Sequence, residues 1–140
     1  MAAAIGAHVT ALYPVEAPDA GAMLARVQAV AARTAPIRLT LGGYALFPPP
    51  YQGAYRAVID EAGAFAAMRG ALTAAPFRAE VFAPHVTVVH PRTSDRTAAF
   101  WAARPARPAP RTVVIETLHV TAFDGARWVS LAAFPLAGGG

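Results

Sequence analysis

The chain has 140 residues, a formal net charge of +4, 56% hydrophobic and 14% charged residues, which describes one packed globular domain over 1–140 and not a disordered tail. It has no cysteine, and all 12 basic side chains are arginine. Disulfides, thiolate zinc sites, a cysteine nucleophile, a Walker A loop and lysine Schiff-base or nucleotidyl-lysine chemistry are therefore excluded. The positive charge favours an anionic substrate through its long-range field. The arginines are scattered singly, however, and only Arg104, Arg107 and Arg111 approach a cluster, so no nucleic-acid groove is legible.

In chain order, Ile5 to Tyr13 is β-branched in places and stopped by Pro14, which predicts a strand. Pro18-Asp19 then opens a helix to about Thr34, with Met23, Leu24, Val27 and Val30 at helical spacing and Pro36 beyond its end. Ile37, Leu39 and Leu41 alternate along a strand from Ile37 to Phe47, in which Gly42-Gly43 marks a bulge or bend. Pro48-Pro49-Pro50 is a rigid loop, Ala54 to Asp60 a strand, and Ala62 to Ala75 a helix carrying Phe65, Met68 and Leu72. Phe77 to Val89 reads as one or two strands. Ser94 caps a short helix to Ala103, and Arg104 to Pro110 is a proline-rich connector. Arg111 to Phe123 and Arg127 to Phe134 are two strands joined at Asp124-Gly125.

This order contains a repeat: strand, helix and two strands occupy residues 5–60 and recur over 81–134, with one helix between. The expectation is an α+β fold of mainly antiparallel sheet, in two related lobes that face each other.

Two of the four histidines lie in matching strands of the halves, as His8-Val9-Thr10 and His85-Val86-Thr87, at an offset of 85 − 8 = 77. Residues i and i+2 of a strand share a face, so each histidine stands beside its threonine with valine packed behind. Two such strands around one cavity supply two imidazoles and two hydroxyls. A hydroxyl donates to a phosphate oxygen, and imidazole titrates near neutrality. One neutral and one protonated histidine are what phosphodiester cleavage needs, and the arrangement requires no metal. His119-Val120-Thr121 has the same letters but falls out of the repeat register, its counterpart being Gly42 (119 − 77), so His119 is read as an edge or cavity-wall residue. His90 falls on the face opposite His85 if its strand stays regular.

Other catalytic schemes are poorly supported. Ser94 and Ser130 lie in no nucleophile elbow, and no His-Glu-x-x-His or carboxylate cluster offers a metal cage. Tyr13, Tyr51, Tyr55, Trp101 and Trp128 are read as packing residues, with Tyr51 beside the three prolines the best candidate to stack on a base.

The paired motifs His8-Val9-Thr10-Ala11 and His85-Val86-Thr87-Val88 resemble the two-histidine (2H) phosphoesterase superfamily, and within it the 2′-5′ RNA ligase-like proteins. The runs from Ala7 to Pro14 and from Phe82 to Thr87 carry most of the match, which extends in element order over nearly the whole chain. The resemblance implies a bilobed fold with a pseudo-two-fold axis and a central cleft. It implies that His8 and His85 are the acid/base pair, with exchangeable roles, and that Thr10 and Thr87 hold the phosphate. Family activities are metal-independent hydrolysis of 2′,3′-cyclic phosphates, related cyclic nucleotides or 2′-5′ linkages; joining ends is the same chemistry reversed. Many members carry an arginine soon after the second motif, where this chain has His90 and then Arg92. The chain is also short for the family, which directs expectation to a small cyclic nucleotide or a short RNA end carrying a phosphate.

The function expected is thus a cyclic phosphodiesterase without cofactor; the alternative is a non-catalytic module that binds nucleotides or RNA ends in the same cleft. Met1 to Gly6 lacks a basic start and a long apolar run, and no window supplies the roughly 20 apolar residues of a membrane span. A cytoplasmic monomer with no membrane partner is expected.

Overall fold

In the computed structural model, the residues described are 7–49, 52–81, 83–89 and 96–138. Helix α1 spans Ala20–Ala32, and Asp19 caps it by accepting the Ala22 N–H at 2.7 Å. Its Val27, Val30 and Ala31 are buried. Strand β1, Ile37–Leu46, buries Ile37 and Leu39 while Arg38 between them is exposed, the period of two expected of a sheet with one covered face. Strand β2, Ala54–Ile59, pairs antiparallel with β1, and the register shifts between Leu41 and Tyr44, where Gly42-Gly43 had predicted a bulge. Helix α2, Ala64–Leu72, is shorter than the predicted 62–75; Gly63 is its cap position, and the Asp60 carboxylate accepts the N–H groups of Phe65 (3.1 Å) and Ala66 (2.9 Å) in its first turn. Phe65, Met68 and Leu72 face the core as their spacing predicted.

The remaining elements are β3 (His85–Val89), α3 (Thr97–Ala103), β4 (Arg111–Ile115), β5 (Thr117–Phe123) and β6 (Trp128–Pro135). Sheet order is β3-β2-β1-β4 in one antiparallel sheet, with β5 and β6 forming a separate antiparallel pair. The fold is therefore α+β with antiparallel sheets, as expected, and the described residues include three α-helices. Sheet membership crosses the two sequence halves: β3 and β4 of the second half pair onto the β1–β2 hairpin of the first. One hydrophobic cluster joins α1, α2, β1, Val120 of β5 and Leu136.

Four further boundaries differ from expectation. The predicted strand from Ile5 to Tyr13 is, within the described residues, a single bridge at Val9. Val9, Ala11 and Leu12 all pack on the core, and consecutive residues 11 and 12 cannot do so from a regular strand. The chain then forms a 3₁₀ turn at Pro14–Glu16. The strand predicted within Phe77 to Val89 is confined to His85–Val89; Phe77 is buried and Pro84, which lacks an N–H, precedes the first paired residue. The long strand predicted from Arg111 to Phe123 is broken at Glu116, because β4 pairs with β1 and β5 with β6. Helix α3 has Arg96 at its cap position; Ser94, predicted to cap it, lies outside the described residues, as does Tyr51. The Asp124-Gly125 hairpin forms as predicted, with the Asp124 carboxylate accepting the Ala126 and Arg127 N–H groups, each at 2.9 Å.

Candidate active site

The centre of the first His-x-Thr segment is bridged to the centre of the second, Val9 to Val86, in antiparallel sense. Antiparallel register then sets His8 opposite Thr87 and Thr10 opposite His85. In that register His8 and His85 lie diagonally across the Val9–Val86 bridge. By strand alternation His85 and Thr87 share one face of β3, and Val9 of the first segment packs on the core. His8 is exposed; Thr10, His85 and Thr87 are half-buried.

The second segment is held by the sheet. His85 pairs with Ala57, Val86 with Arg56 and Thr87 with Tyr55. The His85 Nδ1 lies 2.9 Å from the Ala83 carbonyl. A carbonyl only accepts, so Nδ1 carries the proton and Nε2 is the nitrogen left to gain or lose one. Two aromatic rings fix the plane of the imidazole: Phe47 stands edge-on at 5.5 Å between centroids and Tyr55 is tilted at 5.3 Å. Phe47 and Tyr55 also touch each other at 4.9 Å. Tyr55 is thus a support of His85, a role its sequence position did not reveal because the contact runs across strands.

Beside the first segment, burial pushes the Tyr13 phenol above its ordinary value, partly offset by the charge of Arg69. Glu16 is 1% exposed and ion-paired with Arg69. Burial alone would raise the Glu16 carboxyl, but the Arg69 guanidinium and the N–H groups of Tyr13 and Glu80 outweigh it and hold the pKa below the usual carboxylate range. Neither Glu16 nor its pairing with Arg69 was singled out from sequence, since 53 residues separate them.

His119 is exposed on β5, opposite Ala133, and its strand pairs with β6 and not with either motif segment. His90 and Arg92 lie outside the described residues. Several arginines that produce the basic balance are tied to carbonyls. Arg26 reaches those of Ala71, Leu72, Ala74 and Ala75 and covers the Phe77 ring; Arg56 reaches Gly42 and Ala109; Arg104 lies over Trp101. Among the described residues no group of three His, Asp or Glu side chains is arranged to hold a metal ion, and no helix is long and apolar enough to cross a membrane.

An α+β chain whose two His-x-Thr segments are bridged at their centres has the features of a two-histidine phosphoesterase domain. The match to the family model covers residues 1–127, and the chain belongs to the 2′-5′ RNA ligase superfamily. Among solved structures it is similar to TT0787 of Thermus thermophilus, with a TM-score of 0.54 and 21% identity over 94% of this chain and 79% of that one, a likeness of fold. No curated protein matches it.

Proposed function

We propose that this protein is a phosphodiesterase that opens a 2′,3′-cyclic phosphate, or hydrolyses a related cyclic nucleotide or 2′-5′ linkage, with His8 and His85 as acid and base. The observation that supports this most directly is the antiparallel bridge at Val9 and Val86, which joins the two His-x-Thr segments at their centres in a member of this superfamily. In this reading the joined segments form a wall of a cleft between two lobes, and the pseudo-two-fold axis passes through the bridge.

The chemistry balances with these groups alone. The neutral imidazole takes a proton from water as the water oxygen attacks phosphorus. The P–O bond to the 2′ or 3′ oxygen breaks, and the protonated imidazole gives its proton to that leaving oxygen. Thr10 and Thr87 donate to the non-bridging oxygens, on which charge builds in the transition state. The Ala83 carbonyl keeps His85 in one tautomer through both half-steps, so Nε2 serves as base when neutral and acid when charged. The substrate is a small cyclic nucleotide or an RNA end carrying a phosphate, and the pair acts without a cofactor in a monomer.

Turnover of a 2′,3′-cyclic mononucleotide to its phosphomonoester, lost in His8→Ala and in His85→Ala, is the expected result. Binding of that nucleotide without turnover makes the protein a non-catalytic nucleotide or RNA-end binding module instead.

A further inference from the structure

We propose that the buried Glu16–Arg69 ion pair is a positioning device that sets the two His-x-Thr segments against each other, an inference that rests on the catalytic reading above. Glu16 closes the 3₁₀ turn that follows the first motif, and Arg69 projects from α2. Between them they hold the chain on both sides of the bridge. The Arg69 guanidinium donates to the carbonyl of Ala11, the residue after Thr10, at 3.0 Å and to that of Glu80, upstream of His85, at 2.6 Å. The Glu16 carboxylate accepts the N–H of Tyr13 at 2.8 Å and the N–H of Glu80 at 2.7 Å. Glu80 is thus gripped at both its amide and its carbonyl. The Glu16 backbone carbonyl accepts the Arg78 N–H at 3.0 Å as well, adding a third tie to the same stretch. Within the described residues the first motif has one backbone bridge to the sheet, at Val9. One bridge leaves a segment free to pivot, and the ion pair supplies the second fixed point.

The choice of an ion pair is informative. A buried charge pair is weak as a source of net stability, because desolvation offsets most of the attraction. What it provides is direction: the planar guanidinium presents donors at fixed angles and the carboxylate presents acceptors opposite them. Here Arg69 spends two of those donors on the backbone flanking the two motifs, and an apolar pair of the same volume holds neither. The 53 residues between Glu16 and Arg69 make this a link between distant parts of the chain. The Tyr13 N–H held by Glu16 and the Ala11 carbonyl held by Arg69 carry the constraint to the backbone beside Thr10, a phosphate-binding group of the proposed site.

The test compares Arg69→Lys, which keeps the charge beside Glu16 but loses the fork, with Arg69→Met, which removes both. Arg26→Lys is the control: Arg26 also clamps carbonyls from a helix, but those of residues 71–75, away from either motif. Three quantities are measured: kcat and KM for a 2′,3′-cyclic mononucleotide, the melting temperature, and the imidazole carbon-bound proton resonances. Arg69→Lys is expected to lose about 10- to 100-fold in kcat with KM within about threefold, the signature of misplaced reacting groups. The His8 and His85 resonances shift while that of His119 does not. Arg26→Lys lowers the melting temperature and leaves kcat and the motif resonances in place. If Arg69→Met does not fold, Arg69→Lys decides alone. Unchanged kcat and unmoved His8 and His85 resonances in folded Arg69→Lys overturn the positioning role, whatever happens to the melting temperature. Absence of turnover by the unsubstituted protein overturns the catalytic reading instead, and the resonances still decide whether the pair sets the geometry.

Discussion

Val9 and Val86 are bridged across 77 residues of sequence, and each is the middle residue of a His-x-Thr triplet. The bridge does two things at once. It turns the valine side of one segment toward the core, and it sets each histidine opposite the other segment's threonine. A pair of imidazoles arranged this way is symmetric in principle, and the surroundings break the symmetry. His85 is half-buried between Phe47 and Tyr55 with its Nδ1 on a carbonyl, whereas His8 is exposed.

The first prediction follows from that pairing. His8→Ala and His85→Ala each lower kcat by about 10²- to 10⁴-fold, the range for a positioned acid or base. The double variant loses less than the product of the two, because the residues act as a unit. His119→Ala changes the rate by less than about tenfold, since β5 pairs away from both motif segments. The pH profile of the unsubstituted enzyme is bell-shaped, falling on the acid side as the base protonates and on the alkaline side as the acid loses its proton. A folded His119→Ala protein as damaged as His85→Ala would show that the repeat register selects the wrong histidine.

How much of this was legible beforehand divides along a physical line. Patterns local to one element read correctly: the helix start at Pro18-Asp19, the buried stripe of Phe65, Met68 and Leu72, the bulge at Gly42-Gly43 and the turn at Asp124-Gly125. The two motifs were matched through a repeat, and the bridge between Val9 and Val86 joins their centres. Sheet membership did not. Nothing in Arg111 to Phe123 says that pairing partners change at Glu116, because β4 takes its partner from β1, far away in sequence, while β5 pairs with β6 next to it. For the same reason Tyr55 looked like a core residue, and Glu16 and Arg69 had no spacing to give them away: their significance lies in carbonyls and amides of other segments.

The second prediction concerns anions. Inorganic sulfate or phosphate binds at the motif face and perturbs the backbone amide resonances of Thr10 and Thr87, the hydroxyl donors, more than those of β5 and β6. Affinity falls as pH rises through the imidazole range, because an imidazolium is a charge-assisted donor and neutral imidazole is not. Perturbations confined to Arg107, Arg111 and their neighbours, with Thr10 and Thr87 unmoved, would move the anion site to the proline-rich connector.

The third prediction is that turnover survives a chelator. The proposed proton transfers run between water, two imidazoles and the leaving oxygen, and each step is complete without a Lewis acid. Rates measured with and without EDTA should agree within error. A rate lost in EDTA and restored by one divalent ion would require metal ligation at the reacting phosphate.

The last prediction tests the buried carboxylate through acid unfolding. The Glu16 pKa is lowered in the folded protein from an ordinary value of 4.5, with the Arg69 guanidinium and two backbone amides overcoming the effect of burial. A carboxyl with a lowered folded-state pKa binds protons more readily when unfolded. Its contribution to stability is therefore fully present above the unfolded value and is lost as pH falls through the lower folded one. Glu16→Gln has nearly the same shape but leaves the Arg69 charge without a counter-charge, which for a buried pair costs on the order of 3 kcal/mol. For a domain of this size that is a drop in melting temperature of roughly 10 °C at pH 7. The gap between the unsubstituted protein and Glu16→Gln should stay constant from pH 7 down to about pH 4.5 and then close, because a protonated Glu16 is electrically the same as glutamine. Thermal melts of both proteins across that range decide the matter. A gap that keeps its size at the acid end would mean that Glu16 stabilises through its shape, and that its ionisation contributes nothing to the fold.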